Sequence, residues 1–353
     1  MIRVLVVDDS ALVRDLLTAL LASDPELSVI GTAIDPYDAR DKVLALKPDV
    51  ITLDVEMPKM DGITFLRSLM KRRPTPVVMI STLTERGAEV TMAALAAGAV
   101  DFIAKPKFDL AEGLERQAHL LIAKVKAAAR ANLKAIAHLP LPPPAAALAH
   151  APLSAARPSE RLIAIGASTG GTEAIAEVLR TFPPDAPGVV IAQHIPELFS
   201  ARWAARLSRT TPLEVAEAID GAPILTGHAY VAPGGRHLRV VRGVNGWLCK
   251  LGDDAQVNGH RPSVEVLFDS VGESVGVRAV AALLTGMGAD GSRALLRLRQ
   301  RGCFTVAQDE ATSVVWGLPG EAVRFGAAVE VAPLSRVAER LVSQARRDFR
   351  RAS

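Results

Sequence analysis

Short runs of β-branched and aliphatic residues alternate with helical patterns along most of this chain, and this alternation restricts the fold more than any other feature. Before residue 133 the apolar runs are Val4–Val7, Val50–Leu53, Val77–Ile80 and Val100–Ile103. Leucines recur at helical spacing from Leu12 to Leu21. Strands that alternate with helices are typical of βαβ units, so this part of the chain is predicted to be α/β with a parallel sheet.

A segment rich in alanine and proline interrupts the alternation. It reads Leu-Pro-Leu-Pro-Pro-Pro-Ala-Ala-Ala over residues 139–147, which is too much proline for a helix interior. The apolar runs resume at Leu162–Ile165, Val189–Ala192, Tyr230–Ala232 and Val277–Leu284. With 353 residues, the chain is predicted to form one α/β domain over 1–125, a linker over 126–159 and a second α/β domain over 160–350.

Composition disfavours several classes of protein. Aromatic residues make up only 4% of the chain, which leaves little for a surface that stacks nucleic-acid bases, and no uncharged apolar run reaches the length of a membrane span. Asp8 and Asp9 follow the first apolar run too early for a secretory signal, and Cys249 and Cys303 have no metal-ligand spacing. We expect a cytoplasmic protein with neither nucleic-acid binding nor membrane insertion.

Acidic residues follow two predicted strands of the first domain. Asp8 and Asp9 come after Val4–Val7, and Asp54 comes after Val50–Leu53. Parallel strands end at a common edge, so these carboxylates can converge there, and several oxygen ligands suit Mg²⁺. Lys105 ends a further strand, and an ammonium at this edge would neutralise a phosphoryl group arriving at Asp54.

Four motifs in this domain resemble the response-regulator receiver family over about residues 1–125. They are Val-Asp-Asp-Ser (7–10), Asp-Val-Glu-Met-Pro-Lys-Met-Asp-Gly (54–62), Ser81-Thr82 and Lys105-Pro106. The resemblance implies a flavodoxin-like, five-stranded parallel sheet. It also implies Asp54 as the phosphorylated residue, Mg²⁺ held by Asp8, Asp9 and Asp54, and switch or phosphate-contacting roles for Ser81, Phe102 and Lys105.

Three polar residues follow strands of the second domain. Ser168 lies in Gly166-Ala-Ser-Thr-Gly-Gly171, His194 follows Val189–Ala192, and Asp290 lies in Thr-Gly-Met-Gly-Ala-Asp-Gly (285–291). The glycine run alone fits either a nucleophile elbow or a loop that holds a phosphate without catalysis. Taken together, a hydroxyl, an imidazole and a carboxylate at ends of strands in one sheet favour a serine esterase.

The second domain resembles the catalytic domain of the chemotaxis protein-glutamate methylesterases over about residues 160–335. Besides the three segments above, the matching motifs are Val-Ala-Pro-Gly-Gly-Arg-His (231–237), Arg-Pro-Ser-Val-Glu-Val-Leu-Phe (261–268) and Ala-Gln-Asp-Glu (307–310). The resemblance implies a doubly wound, mostly parallel α/β hydrolytic domain without its own cofactor. Ser168 is the implied nucleophile, His194 the base and Asp290 its partner, with Thr169 and Met287 shaping the oxyanion region.

This family resemblance implies a carboxylic ester hydrolase that acts on methylated glutamyl residues of chemoreceptors and deamidates receptor glutamines. A chemotaxis histidine kinase would supply the phosphoryl group to the receiver. Two other classes remain as alternatives: a non-enzymatic output module whose glycine-rich loop binds a nucleotide or phosphate, and a DNA-binding effector with a basic tail over residues 346–351. No Walker lysine supports the first, and no helix-turn-helix pattern supports the second.

Overall fold

The computed structural model describes residues 1–57, 61–81, 84–105, 111–137 and 157–347. The chain divides into two compact units, Met1–His138 and Leu139–Ser353. Thr82, Pro106 and part of the Asp54–Gly62 motif lie outside the described residues, as do 138–156 of the predicted linker and 348–353 at the C-terminus.

The first unit alternates strands and helices, as the sequence predicts. Its described strands are β1 (Ile2–Val7), β2 (Leu27–Ala33), β3 (Val50–Asp54), β4 (Val77–Ser81) and β5 (Asp101–Ala104). Its helices are α1 (Ala11–Ala22), α2 (Pro36–Leu46), α3 (Gly62–Arg72), α4 (Glu85–Ala96), α5 (Ala111–Ala129) and α6 (Leu133–Ala137). The strands form a five-stranded sheet in the order β2-β1-β3-β4-β5, and all of its pairs are parallel.

Side-chain caps start several helices of this unit. Ser10 caps α1 and accepts a hydrogen bond from the Val13 amide, and Asp61 caps α3 and accepts one from Thr64. Such caps satisfy amides that have no partner within the helix. Strands β3 and β4 are buried throughout, as expected for central strands of a parallel sheet with helices on both faces.

The end of this unit lies later in the chain than the domain boundary drawn from the sequence. Helix α5 continues to Ala129 and α6 ends at Ala137, so most of residues 126–137 of the predicted linker are helical. Val125, Ala128 and Ala135 are buried. An alanine-rich segment forms good helix whenever one of its faces can pack against a core, and composition alone does not separate that case from a linker.

The second unit contains a larger sheet and a separate hairpin. Its described strands are β6 (Leu162–Ala167), β7 (Gly188–Gln193), β8 (Glu214–Glu217), β9 (His228–Val231), β10 (His237–Gly243), β11 (Gly246–Gly252), β12 (Ala279–Leu283), β13 (Phe304–Gln308) and β14 (Glu330–Ala332). Its helices are α7 (Gly171–Arg180), α8 (Glu197–Thr210), α9 (Val264–Ser274), α10 (Ser292–Gln300), α11 (Leu318–Arg324) and α12 (Leu334–Ala345).

Seven of these strands form a parallel sheet in the order β14-β13-β12-β6-β7-β9-β8. The chain leaves β6 toward β7 on one side and later returns to β12 on the other. The crevice between β6 and β12 is therefore a topological switch point, where ligands bind in sheets of this kind. Because β12, β6 and β7 are neighbours, the loops that follow them meet at one edge.

Strands β10 and β11 pair antiparallel and form a hairpin outside the large sheet. The hairpin contributes Leu238, Val240 and Cys249 to the buried core that also contains Phe268 of α9. The apolar runs predict β6, β7, β9 and β12, whereas β8, β10, β11, β13 and β14 were not predicted. The hairpin strands alternate polar and apolar residues, a weaker signal than a fully buried strand.

Within the described residues, no helix combines the length and apolar character needed to cross a bilayer. Cys249 and Cys303 are both buried with free thiols. Both belong to the hydrophobic core of the second unit, so their side chains pack as small apolar groups.

Candidate functional site

Ser168 lies in the tight turn that joins β6 to α7. Its carbonyl accepts a hydrogen bond from the Gly171 amide at 2.8 Å. Gly170 has a φ of 77°, and a Cβ built on it would come within 2.7 Å of Val314, so glycine is required at that position. The turn leaves Ser168 partly exposed at the sheet edge, at the start of a helix with a hydrophobic inner face.

The loop after β12 comes unusually close to this turn. Ser168 donates its amide to the Thr285 carbonyl at 3.0 Å, and the Thr285 hydroxyl donates to the Thr169 carbonyl at 3.0 Å. A Cβ on Gly286 would lie 2.7 Å from the Ser168 Cβ. Glycine at 286 therefore allows the segment carrying Met287 to approach the serine, and Thr169 beside it is buried.

His194 directly follows β7, and its imidazole connects the other two residues of the site. Its Nδ1 lies 3.0 Å from Ser168 Oγ, and its Nε2 lies 2.8 Å from Asp290 Oδ2. Gln193 fixes the two turns together, because its side-chain amide donates to the carbonyls of Ser168 and His194 at 2.9 and 3.1 Å. The structure thus brings the predicted serine, histidine and aspartate into one hydrogen-bonded row.

Asp290 is buried against the N-terminus of α9 and accepts hydrogen bonds on both carboxylate oxygens. Oδ1 accepts from the Ser263 hydroxyl at 2.7 Å and the Asn258 amide at 2.8 Å, and Oδ2 accepts from the Val264 amide at 2.6 Å. The Glu265 amide lies 3.3 Å from Oδ1. Backbone amides at a helix start favour a negative charge.

These contacts determine the charge of Asp290 and the position of the proton on His194. Burial alone would raise the pKa of Asp290, but the hydrogen bonds from His194, Asn258 and Ser263 lower it to about 2. An ionised carboxylate can only accept, so Nε2 of His194 carries the proton. Nδ1 is then free of hydrogen and can accept the proton of Ser168.

Sequence reasoning missed two residues of this site, Asn258 and His260. They lie in a tight turn in which Val257 and His260 exchange backbone hydrogen bonds at 3.1 and 3.0 Å. Asn258 reaches Asp290, and the ring of His260 stacks on that of His194. The Asn258-Gly259 dipeptide signals such a turn, but nothing in the sequence indicates which site it approaches. Ser263, which caps α9, lies in the Arg-Pro-Ser-Val-Glu-Val-Leu-Phe motif (261–268), to which the sequence analysis assigns no function.

The first unit has its own polar cluster at the carboxyl edge of its sheet. Asp8, Asp9 and Asp54 each offer an oxygen within 4.8 Å of the others, with Asp8 and Asp54 buried and Asp9 exposed. Lys105 Nζ lies 2.9 Å from Asp54 Oδ2 and 3.0 Å from Asp8 Oδ2. The predicted convergence of these four side chains is therefore present.

The charges around this cluster favour the binding of a cation. Burial raises the pKa of Asp54 to about 6, because the hydrogen bond from Lys105 only partly offsets it and the charge of Asp8 adds to it. One lysine thus faces two buried carboxylates. Three carboxylate oxygens and room for water on the exposed side suit Mg²⁺, so the residues fit the implied ion.

Ser81 and Phe102 occupy neighbouring strands of this sheet. Ser81 is buried at the end of β4, and its hydroxyl contacts the Gly87 carbonyl at 3.3 Å and the Thr91 hydroxyl at 2.8 Å, both on α4. Phe102 is buried on β5, with Lys124 Nζ 5.3 Å from its ring centroid. Ser81 therefore connects the carboxylate edge to α4, and Phe102 packs beside α5.

Two protein families match the two parts of the chain. The family described as "CheB methylesterase" matches residues 163–341, and the "Response regulator receiver domain" family matches residues 4–116. The first match includes Ser168, His194 and Asp290, and the second includes Asp8, Asp54 and Lys105.

Relatives match this chain over nearly its whole length. The chain is 55% identical over 346 residues to "Protein-glutamate methylesterase/protein-glutamine glutaminase 1" of Xanthomonas campestris, covering 97% of both chains. It is 55% identical over 347 residues to a second such protein, from Pseudomonas aeruginosa, covering 98% of this chain and 97% of that one. The crystal structure of the Thermotoga maritima CheB methylesterase catalytic domain has a TM-score of 0.51 and 32% identity, covering 52% of this chain and 97% of that one.

Proposed function

The chain belongs to the CheB methylesterase family, and from this premise we propose that it removes methyl esters from glutamyl side chains of methyl-accepting chemoreceptors. The observation that carries the proposal is the row of contacts from Ser168 through His194 to Asp290. By the same type of acyl-transfer reaction, the enzyme also deamidates receptor glutamines. The function is adaptation in chemotaxis-type signalling.

In the proposed reaction Ser168 is the nucleophile and His194 is the general base. Ser168 Oγ forms a bond to the side-chain carbonyl carbon of the substrate while its proton passes to His194 Nδ1. Asp290 stabilises the resulting imidazolium through Nε2. The imidazolium then returns the proton to the leaving methoxide, and methanol departs. Water, activated by His194, hydrolyses the acyl-enzyme and restores the serine.

The tetrahedral intermediate carries a negative charge on the former carbonyl oxygen. We assign the surrounding oxyanion region to Thr169 and to the segment carrying Met287. Support comes from Gly286, which allows that segment close to Ser168, and from the Thr285 hydroxyl, which holds the Thr169 carbonyl. Backbone amides at the start of a helix can stabilise such an oxyanion. For a glutamine substrate the departing group is ammonia.

In the first unit we propose that a chemotaxis histidine kinase phosphorylates Asp54. Asp8, Asp9 and Asp54 would hold Mg²⁺, which supplies charge neutralisation for the incoming phosphoryl group. Lys105, already within 3.0 Å of Asp8 and Asp54, contacts the phosphate oxygens. Ser81 and Phe102 transmit the change, because Ser81 contacts α4 and Phe102 lies on the adjacent strand. Phosphorylation activates the hydrolase.

We propose a receiver of residues 1–125 that the helical residues up to 137 extend, followed by a catalytic domain over 160–350. The catalytic domain needs no cofactor in this mechanism, since serine, imidazole and carboxylate supply the nucleophile and the proton transfers. The enzyme works in the cytoplasm, where the kinase and the methylated receptor segments meet it.

Release of methanol from methylated chemoreceptor membranes tests the proposal. Wild type and Ser168→Ala are compared, each with and without a small phosphodonor and Mg²⁺. We expect donor-stimulated release from wild type and none from Ser168→Ala. Ser208→Ala, which changes a serine of α8 outside the site, is the matched control and should behave as wild type. Folded protein that accepts phosphate but releases no methanol would favour the binding-module alternative.

A further inference from the structure

The imidazole of His194 is contacted on a ring face as well as on both nitrogens. The ring of His260 lies parallel to it, with centroids 3.5 Å apart and an angle of 12° between the planes. Ser168 and Asp290 occupy the two nitrogens in the ring plane. Nothing in the serine-histidine-aspartate mechanism requires an aromatic neighbour on this face.

His260 reaches this position through a turn that is anchored to the same site. Asn258 and Gly259 form the two-residue turn between Val257 and His260, with φ values of 53° and 78° that are typical of a type I′ hairpin turn. The Asn258 side-chain amide donates to Asp290 Oδ1 at 2.8 Å. One short turn therefore contacts both the carboxylate and the imidazole.

We propose that His260 is a positioning residue for the base. Its ring holds His194 in the plane that joins Ser168 Oγ to Asp290, and its π face stabilises the imidazolium formed when His194 takes the serine proton. The inference rests on the proposed function, because it assigns a role within that reaction. His260 itself exchanges no proton with the substrate.

The physical need for such a residue comes from the freedom of the histidine side chain. Rotation about the bond to the ring has a broad energy minimum, so one hydrogen bond to Asp290 leaves the imidazole free to tilt away from Ser168. A parallel ring in van der Waals contact restricts this tilt. An aromatic face also attracts a cation above it, which favours the transition state over the neutral ground state.

Two substitutions of His260 test the proposal, because they separate the effect of a planar ring from the effect of side-chain size. Phe and Leu are both large and apolar, but only Phe provides a flat ring. Methanol release from methylated receptors is measured for wild type, His260→Phe and His260→Leu. We expect His260→Leu to lower kcat about 10-fold with KM unchanged, and His260→Phe to stay within about 3-fold of wild type, the range of an aromatic pair interaction. Equal rates for Phe and Leu, or a change confined to KM, would overturn it.

A second measurement separates this inference from the identity of the substrate. A fluorophosphonate labels an activated serine without a receptor: the Ser168 Oγ–P bond forms, the P–F bond breaks, fluoride leaves and the serine proton passes to His194. Slower labelling of His260→Leu than of His260→Phe would support the positioning role even if no receptor released methanol. Labelling of His260→Leu at the wild-type rate would contradict the positioning role of His260.

A matched control excludes a general effect of losing a histidine. His228 lies at the start of β9, where its Nδ1 contacts the Thr226 carbonyl at 2.9 Å and its Nε2 lies 3.3 Å from Glu214. His228→Leu should label and release methanol as wild type. All rates are measured below the unfolding temperature of the least stable variant, so that every comparison is between folded proteins.

Discussion

Asp54 and Asp290 are buried carboxylates near the carboxyl edges of two different sheets. Each lies at the carboxyl edge of a parallel sheet, and only 1% of Asp54 and 2% of Asp290 is exposed. Each contacts a side-chain nitrogen, that of Lys105 in the first case and that of His194 in the second. Their pKa values nevertheless move in opposite directions, to about 6 for Asp54 and to about 2 for Asp290.

The neighbours of the two carboxylates account for this difference. Burial acts to raise the pKa of both. Asp290 accepts from a hydroxyl, a side-chain amide, backbone amides and an imidazole, all of which favour its ionised form. Asp54 lies beside a second buried carboxylate and shares one lysine with it. Asp290 is thus surrounded by hydrogen-bond donors, whereas Asp54 shares a single ammonium group with Asp8, an arrangement that favours the binding of a further cation.

The largest expected effect is that of removing the charge of Asp290. In Asp290→Asn, an amide NH₂ would face donors from Val264, Ser263 or His194, and the proton would no longer be held on Nε2. We expect methanol release to fall by about 10⁴-fold, the loss seen when a triad carboxylate is replaced by an amide. Asp185→Asn, which alters an exposed aspartate, should keep the wild-type rate. A loss under about 10-fold, well below this estimate, would contradict the role of Asp290.

The same substitution in the other sheet should leave the basal reaction unchanged. Asp54→Asn replaces the carboxylate that we propose is phosphorylated, so we expect no incorporation of phosphate and no stimulation by a phosphodonor, with basal methanol release as in wild type. Chelation of Mg²⁺ should have the same selective effect on wild type. Asp41→Asn, on the exposed face of α2, is the matched control. Stimulation of Asp54→Asn by the donor would refute the assignment.

The free energy of unfolding gives the sharpest contrast, because Asp54→Asn and Asp290→Asn should change it in opposite directions. At pH 7 without Mg²⁺, Asp54 is ionised at a cost, so Asp54→Asn should stabilise the first unit by up to about 3 kcal/mol, at about 1.36 kcal/mol per pKa unit. Asp290→Asn should destabilise the second unit by a similar amount. Hydrogen exchange followed peptide by peptide reads the two units separately. Changes of the same sign would show that burial, and not the neighbours, decides both.

The pH dependence of stability should follow the lowered pKa of Asp290. The pKa of about 2 that Asp290 has in the folded protein lies below the ordinary aspartate value of 3.8, which applies to the unfolded chain. The ionised carboxylate therefore contributes stability that is fully present above about pH 4 and is lost as pH falls toward about 2. Urea unfolding of wild type and Asp290→Asn should give free energies that differ most at neutral pH and converge as the pH falls. A constant difference from about pH 7 to about pH 3 would contradict this linkage.

The smallest effect is expected from the anchors of Asp290. Asn258→Ala and Ser263→Ala each remove one hydrogen bond to Oδ1 and leave the contact with His194 intact. A hydrogen bond to a charged group contributes about 1.5–3 kcal/mol to stability, and only the part that differs between ground state and transition state lowers kcat, so we expect a loss of kcat of about 10-fold or less from each. Gln256→Ala, an exposed position just before the same turn, is the control and should keep the wild-type kcat. Full activity in both anchor variants would mean that the backbone amides of α9 suffice to hold Asp290.

Much of both sites could be predicted because their residues directly follow buried strands. Ser168 and His194 immediately follow β6 and β7, and Asp54 ends β3, so a run of apolar residues locates each of them in the sequence. The same reasoning places the three loops of the catalytic unit at one sheet edge. The adjacency of β12, β6 and β7 confirms it.

The rest depends on contacts between segments that are distant in sequence. Asn258 and His260 belong to a turn whose sequence predicts its conformation but not its neighbours, and Gly286 is informative only once the Met287 segment lies against Ser168. The boundary near residue 126 was drawn from composition, but helical packing of α5 and α6 extends the first unit beyond it. Local patterns predict elements, whereas the partners of an element follow from the whole fold.

The pairing of β6 with β12 also affects when the enzyme can first act. Leu162 pairs with Ala279, so the strand that precedes Ser168 receives one of its neighbours only after most of the second unit has been synthesised. Contacts of such high sequence separation form late, because the intervening chain must first be ordered. A nascent or truncated chain that ends before Asp290 therefore contains Ser168 and His194 but lacks the carboxylate that contacts His194.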